Sequence, residues 1–335
     1  EKHQLTSLQL GPKEGLALIN GTQFILAYAT MGVDRFFRCL ELADWIGAMS
    51  LEALMGSASP FDARLHELRP FGGCQLVAQR LKKLVQGSSI LESHQDCDRV
   101  QDPYSLRCMP QVHGASRNAW LHLKELVEIE LNAVTDNPIV FSEKETISGG
   151  NFHGQPLALP LDYACFAAAE LGNISDRRSY LLIDGKWGLP TLLMDKVGLD
   201  SGFMIPQYTT AALVTENKTL CFPASADSIP TSLGQEDHVS MGSISARKFN
   251  QVIDNLEYIL SIEMLLAAQA IEFRRPLKSS ALIECMHSLI RSKIEFAIED
   301  RVFANDIGKS VALFRDPFFL SIYLVRTSQK NKSVK

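Results

Sequence analysis

Paired cysteines are missing from this sequence. Its seven cysteines stand at irregular positions and none belongs to a CxxC pair. That excludes a zinc-ribbon or thioredoxin-like spacing and points to reduced thiols rather than a disulfide frame. A long apolar run is missing too. A membrane helix needs roughly 18 uninterrupted apolar residues, and the best stretch, Pro156 to Gly172, is cut by Pro160, Asp162 and Glu170. Basic residues are not in excess: 33 Lys and Arg against 38 Asp and Glu give a net charge of −5. Without a Lys/Arg stripe the chain is a poor ligand for phosphate backbones. Neither a membrane nor a nucleic-acid partner is therefore expected. The opening Glu1-Lys2-His3-Gln4 has no initiator methionine and no apolar signal core, so the expected compartment is cytoplasmic. That opening also reads as the middle of a longer chain.

What is present is an ordinary folding composition, 46% hydrophobic and 21% charged over 335 residues, arranged with a helical period. From Ser243 to Phe273, apolar residues recur at Ile244, Phe249, Val252, Ile253, Leu256, Ile259 and Leu260, the i, i+3, i+4, i+7 pattern of a buried stripe. At about 1.5 Å per residue this helix is a rod of roughly 45 Å. Pro276, after Arg274 and Arg275, is placed to end it. Thr22 to Met55 predicts a second long helix, and 115–133, 161–183, 204–220 and 278–300 predict further ones. Pro138 to Phe141 is the one convincing short strand. The fold class expected is all-α, an elongated bundle of long helices with functional polar loops. One helical unit is expected over 1–325, followed by a basic, polar and frayed tail over 326–335.

The polar loops between the rods carry the chemistry. Asn20, just before Thr22, a candidate N-cap, is either a functional amide or a turn residue tolerating positive φ. In Gln101-Asp102-Pro103-Tyr104-Ser105-Leu106-Arg107, Asp102 before Pro103 predicts a helix start, and Tyr104 and Arg107 fall on one face. A guanidinium fork binds a carboxylate and a phenol can hydrogen-bond an amine, which suits an amino acid. The alternative is a surface pair of Arg107 with Asp102 or Asp98. Ser148-Gly149-Gly150-Asn151-Phe152-His153-Gly154 has glycines enough for a phosphate loop but lacks its lysine. His153 alone reads more readily as structural than as a base. Glu236, Asp237 and His238 are adjacent and cannot all face one ion, and no paired histidine supports them, so no metal is expected. The alternative for Glu236 is a solvated first turn of the helix beginning near Ser243.

Taken in order, GLALINGTQ (15–23), QDPYSLRCMPQVHGA (101–115), TDNPIVF (135–141), SGGNFHGQPLA (148–158), SGFMIPQYTTAALVTENK (201–218) and PASADSIPTSLGQEDHVSMG (223–242) resemble the aromatic amino acid ammonia-lyase family, most closely its histidine-specific branch. The resemblance spans nearly the whole chain. It implies a mainly helical homotetramer that converts L-histidine to urocanate and ammonia, with sites shared between subunits. It also implies a methylidene-imidazolone electrophile formed from an internal Ala-Ser-Gly, because the β-proton is barely acidic and ammonium leaves poorly. No Ala-Ser-Gly occurs in these 335 residues. The expectation is that the segment bearing it lies upstream, and that this chain alone is inactive.

The resemblance assigns roles to the matching positions. Asn20 would hydrogen-bond near the electrophile and the substrate carboxylate, Arg107 would bind that carboxylate, and Tyr104 would reach the reacting amine from a neighbouring subunit. Gln101 and Phe152 would line the pocket, and Glu236, from a third subunit, would face the substrate side chain. Glutamine stands at the position of Glu236 in the phenylalanine enzymes. A carboxylate there suits an imidazole N–H and is costly against a phenyl ring. A departure lies at Gln155, a position that varies among relatives. A tyrosine or phenylalanine lyase or aminomutase stays open as an alternative, as does a truncated, non-catalytic helical interaction module.

Overall fold

A computed structural model describes residues 6–95 and 98–328 of the chain. Its α-helices in chain order are α1 (Glu14–Ile19), α2 (Gln23–Ala53), α3 (Ala63–Glu67), α4 (Gly72–Leu84), α5 (Ser89–Glu92), α6 (Tyr104–Arg107), α7 (Met109–Glu130), α8 (Gln155–Ile183), α9 (Met204–Leu220), α10 (Gly242–Glu272), α11 (Ala281–Arg291), α12 (Phe303–Arg315) and α13 (Pro317–Ser328). A two-stranded antiparallel hairpin, β1 (Ile139–Ser142) and β2 (Glu145–Ile147), separates α7 from α8. The class is all-α, as the periodicity predicts.

The bundle is organised around α2, α8 and α10, which run parallel. Gly32 of α2 and Ser245 of α10 meet Phe249 and Asp162 respectively near the helix starts, while Ser50 of α2 and Ser175 of α8 both donate to Glu263 of α10 at 2.6 Å further along. α7 runs the opposite way: Thr22 meets Glu130 at one end and Gly47 abuts Met109 at the other. Every residue from Cys39 to Ala53 and from Ile259 to Ile271 is buried. Stretches buried on all sides are wrapped by neighbours, and their charged members Glu41, Asp44 and Glu263 need partners there. Close approach needs missing side chains. A Cβ on Gly73 would lie 2.2 Å from the carbonyl oxygen of Gly114, so α4 and α7 touch backbone to backbone there.

Buried charges cross-link the central helices. Glu41 of α2 accepts both guanidinium ends of Arg80 from α4 at 2.8 Å, and Arg117 of α7 bridges Glu41 at 2.8 Å and Asp44 at 2.6 Å. Burial opposes the charge of Asp44, but Arg117, His113 and Arg80 outweigh it and hold the carboxyl well below the ordinary range. His113 is enclosed and driven toward its neutral form by that burial. Its Nδ1 lies 2.8 Å from Asp44 and its Nε2 3.4 Å from Arg178, so Nδ1 carries the proton and Nε2 accepts. Arg178 of α8, fully enclosed, closes a two-bonded pair with Glu263.

Departures from the predicted elements have identifiable causes. α8 begins at Gln155, ahead of the expected 161, because Pro156 sits in the first turn, where its missing N–H costs nothing. The helix expected over 278–300 ends at Arg291. Beyond it, buried Gln269 captures both backbone groups of Ala297, at 2.8 and 3.1 Å, and holds that segment as a loop. The strand begins one residue later than expected and acquires a partner, β2. α4 and α12 were not foreseen. By length and composition one described stretch, Glu14–Ala53, is apolar enough to cross a membrane. It is not the Pro156–Gly172 stretch weighed above; its second half is enclosed in the bundle, but only 22% of its most apolar 18 residues are buried. Of the tail expected over 326–335, residues 326–328 complete α13, and 329–335 lie outside the described residues.

Candidate functional site

The six expected site residues fall into two groups at opposite ends of the bundle. Asn20, Phe152 and Glu236 belong to the end where α2, α8 and α10 begin. Asn20 caps α1, its N–H bonding Leu16 at 2.8 Å, with φ of −95°; the positive-φ turn reading is therefore incorrect. Its amide contributes, after Lys13 and the Asn137 N–H, to holding the Asp136 carboxyl below the usual range. Thr22 is the N-cap of α2 by position, but its hydroxyl donates to Glu130 at 2.5 Å rather than to its own helix. Asn137 fastens the glycine segment by accepting from the Gly149 N–H at 2.7 Å and the Ser148 hydroxyl at 3.1 Å. Phe152 is exposed on that segment. The next residue, His153, lies against His238, ring centroids 5.5 Å apart, and so ties the Phe152 loop to the Glu236 loop.

Glu236 is exposed. Its carboxylate accepts from the Thr231 hydroxyl at 2.6 Å, and the two backbones bond each other in both directions. Hydrogen bonds from Thr231 and then Ser232 hold the carboxyl below its ordinary range, so it is anionic at neutral pH. α10 starts only at Gly242, six positions on, which removes the first-turn reading of Glu236. Among the described residues no three His, Cys, Asp or Glu side chains gather as metal ligands would.

Gln101, Tyr104 and Arg107 occupy the other end, where α2 finishes and α7 starts. The N-cap of α6 is Pro103, not Asp102, which correction has a clear cause. Asp102 is buried, accepting from the Ser57 N–H at 2.6 Å and pairing with Arg99 at 3.1 Å. That also disposes of Asp102 as the partner of Arg107. The Arg107 guanidinium lies over the Tyr104 ring, 4.6 Å from its centroid, and its Nε is buried without a hydrogen-bond partner. A cavity of about 780 Å³ opens beside it, lined by Gln101, Asp102, Arg107, Gln111 and the turn from Met55 to Pro60. The buried charge network reaches α6: Arg178 donates to the Ser105 carbonyl at 3.4 Å. Tyr104 itself is 71% exposed.

Gly47 abuts Met109, two residues beyond Arg107, whereas Asn20 precedes Gln23. The 24 helical steps between Gln23 and Gly47 span about 36 Å. One copy of the chain therefore cannot bring Arg107 to Asn20, Phe152 or Glu236.

A family profile described as aromatic amino acid lyase matches residues 1–292. The chain belongs to the aromatic amino acid lyase family. A histidine ammonia-lyase of Sorangium cellulosum (strain So ce56) is 51% identical over 322 residues, 94% of this chain and 63% of that protein. The crystal structure of histidine ammonia-lyase from Trypanosoma cruzi superposes with a TM-score of 0.88 at 45% identity, covering 96% of this chain and 62% of that one. A tyrosine aminomutase from Streptomyces globisporus superposes with a TM-score of 0.88 at 34% identity, over 100% of this chain and 67% of that chain. The chain thus spans under two thirds of the histidine ammonia-lyases named here. The buried charge network is not legible in the sequence, because Glu41 and Asp44, Arg178 and Glu263 lie on three different helices, and the bonds of the first two to Arg117 and of Arg178 to Glu263 span 73 to 85 positions.

Proposed function

We propose that this chain carries the substrate-recognising part of a histidine ammonia-lyase, an enzyme that deaminates L-histidine to urocanate and ammonia without oxidation. The observation that carries the reading is Glu236: an exposed, anionic carboxylate held on a self-bonded loop, at the position the resemblance assigns to the substrate side chain. A carboxylate accepts an imidazole N–H with charge assistance, and a phenyl ring would leave it desolvated and unpaired. Arg107 would take the substrate carboxylate with its planar fork. Tyr104 would meet the amine, Gln101 and Phe152 would line the pocket, and Asn20 would hydrogen-bond near the carboxylate.

Asn20, Phe152 and Glu236 lie at one end of α2 and Gln101, Tyr104 and Arg107 at the other, with about 36 Å of helix between Gln23 and Gly47, which supports a site assembled from several copies. α8 supports the same reading: Leu159, Tyr163 and Phe166, at i, i+4 and i+7, are 56%, 50% and 45% exposed, an apolar stripe of the kind that seeks a partner. We read the assembly as a homotetramer in which Tyr104 and Glu236 reach each site from different subunits. The compartment we assign is cytoplasmic, consistent with six described cysteines that are all free.

The family's methylidene-imidazolone would supply an electron sink that lets ammonia depart. The residues present suit such a group, since Asn20 and Tyr104 offer an amide and a phenol for hydrogen bonds to a carbonyl and an amine. The tripeptide that forms it is not among these 335 residues, so the chain by itself should form no urocanate. The test is a full-length polypeptide with the Ala-Ser-Gly segment, assayed by absorbance with histidine, tyrosine and phenylalanine. Urocanate from histidine is expected. Turnover of tyrosine in its place would favour the aminomutase-like branch and overturn the histidine reading.

A further inference from the structure

Among the described residues two buried polar atoms beside the Arg107 cavity have no partner: Nε of Arg107 and Oε1 of Gln111. Both side chains line the same cavity. They stand on either side of Cys108, which ends α6 and caps α7 with φ of −100° and ψ of 13°, and the Gln111 and Val112 N–H groups both reach its carbonyl at 3.1 Å. One orphan is a donor and the other an acceptor, and leaving both unmade in a buried position is unfavourable. In this structure the guanidinium is engaged with the Tyr104 ring instead.

We propose that Gln111 is a positioning residue for Arg107. When an incoming carboxylate draws the guanidinium off the Tyr104 ring, its Oε1 accepts the Arg107 Nε–H, and because the guanidinium is planar, fixing Nε turns the Nη1–Nη2 edge toward the carboxylate of an α-amino acid. The fork then meets its ligand already oriented, at a smaller entropic cost. In this role Gln111 acts through Arg107. The inference rests on the deamination reading above and deepens it.

The experiment uses the full-length enzyme with two variants. Gln111→Met removes the acceptor at similar volume, and Gln111→Asn keeps an amide that is one methylene too short to reach. Both should raise KM for histidine about tenfold, the lower end expected for a hydrogen bond to a charged group, with kcat within about twofold and melting temperature unchanged. The decisive measurement is a double-mutant cycle with Arg107→Lys, since lysine has no Nε–H: in that background the Gln111 change should raise KM no further. Effects that multiply would mean Gln111 acts independently of Arg107, and the proposal would fall. If Gln111→Met does not fold, Gln111→Asn carries the same comparison. An active wild type with unchanged KM in the variants overturns the role of Gln111 alone. A wild type that forms no urocanate overturns the deamination reading beneath it.

Discussion

Arg107 and Glu236 are opposite charges that the bundle leaves differently free. Arg107 has a ring for company and a buried Nε with no acceptor, so a carboxylate arriving at its fork displaces no competing anion. Arg107→Lys keeps the charge and loses the planar fork. The expected loss is roughly 1.5–3 kcal/mol of transition-state binding, expressed in kcat/KM for histidine; unchanged kinetics in a folded oligomer would return Arg107 to a packing role against Tyr104. Glu236→Gln is nearly isosteric and sits six positions ahead of α10, so neither a cavity nor a helix-end charge is lost, and melting temperature should hold. kcat/KM for histidine should fall by about tenfold or more, and discrimination against phenylalanine should weaken because an amide is less costly than a carboxylate beside a phenyl ring. Equal histidine kinetics and equal selectivity would remove the main reason for naming histidine. At this scale the sequence was informative about residue types and uninformative about partners. Asp102 reads locally as a helix cap, yet its oxygens are committed to Ser57 and Arg99, the former 45 positions away, and no local pattern carries such a contact.

Elements were the most legible part of the chain, for a physical reason. Long helices repeat their apolar face over many turns, so α2, α9 and α10 lie within two residues of the ranges their periodicity predicts. The failures fall where the deciding contact is distant in sequence, as with Gln269 holding Ala297 out of a continued α11. The same holds for Glu52, near the end of α2. It is enclosed, with Oε1 3.4 Å from the Ser280 N–H at the approach to α11 and the Ser279 and Ser88 hydroxyls also directed at the carboxyl. Burial pushes its carboxyl up to about 7 from an ordinary 4.5. The folded protein therefore keeps a proton that the unfolded chain releases, and stability falls as pH rises from about 4.5 through 7. Glu52→Gln has no charge to bury and should flatten that fall. The variant's melting temperature should gain on wild type between pH 5 and pH 8, by a few degrees for at most about 3 kcal/mol. A constant offset across that range would show that Glu52 stays ionised and hydrated in the folded state.

For the molecule as a whole, the deciding quantity is the distance between the two ends of the bundle. Motif order in the sequence places Asn20, Arg107, Phe152 and Glu236 along one line of text and says nothing of α2 and α7 running antiparallel between them. Only the packing shows that the groups must come from different copies if they serve one amino acid. A shared site has a consequence that a self-contained site lacks. When Arg107→Lys and Glu236→Gln subunits of the full-length enzyme are co-expressed in equal amounts, each site draws its arginine from one copy and its glutamate from another. About one site in four then receives both native groups if subunits mix at random in a closed symmetric oligomer. Activity in the mixed oligomer should thus recover to about a quarter of wild type, well above either variant alone. If arginine and glutamate belonged to one subunit's site, every site would keep one defect and mixing would recover nothing. Recovery that rises and falls with the subunit ratio, checked by mass analysis of the assembled oligomers, distinguishes these outcomes without reference to the rate of any single step.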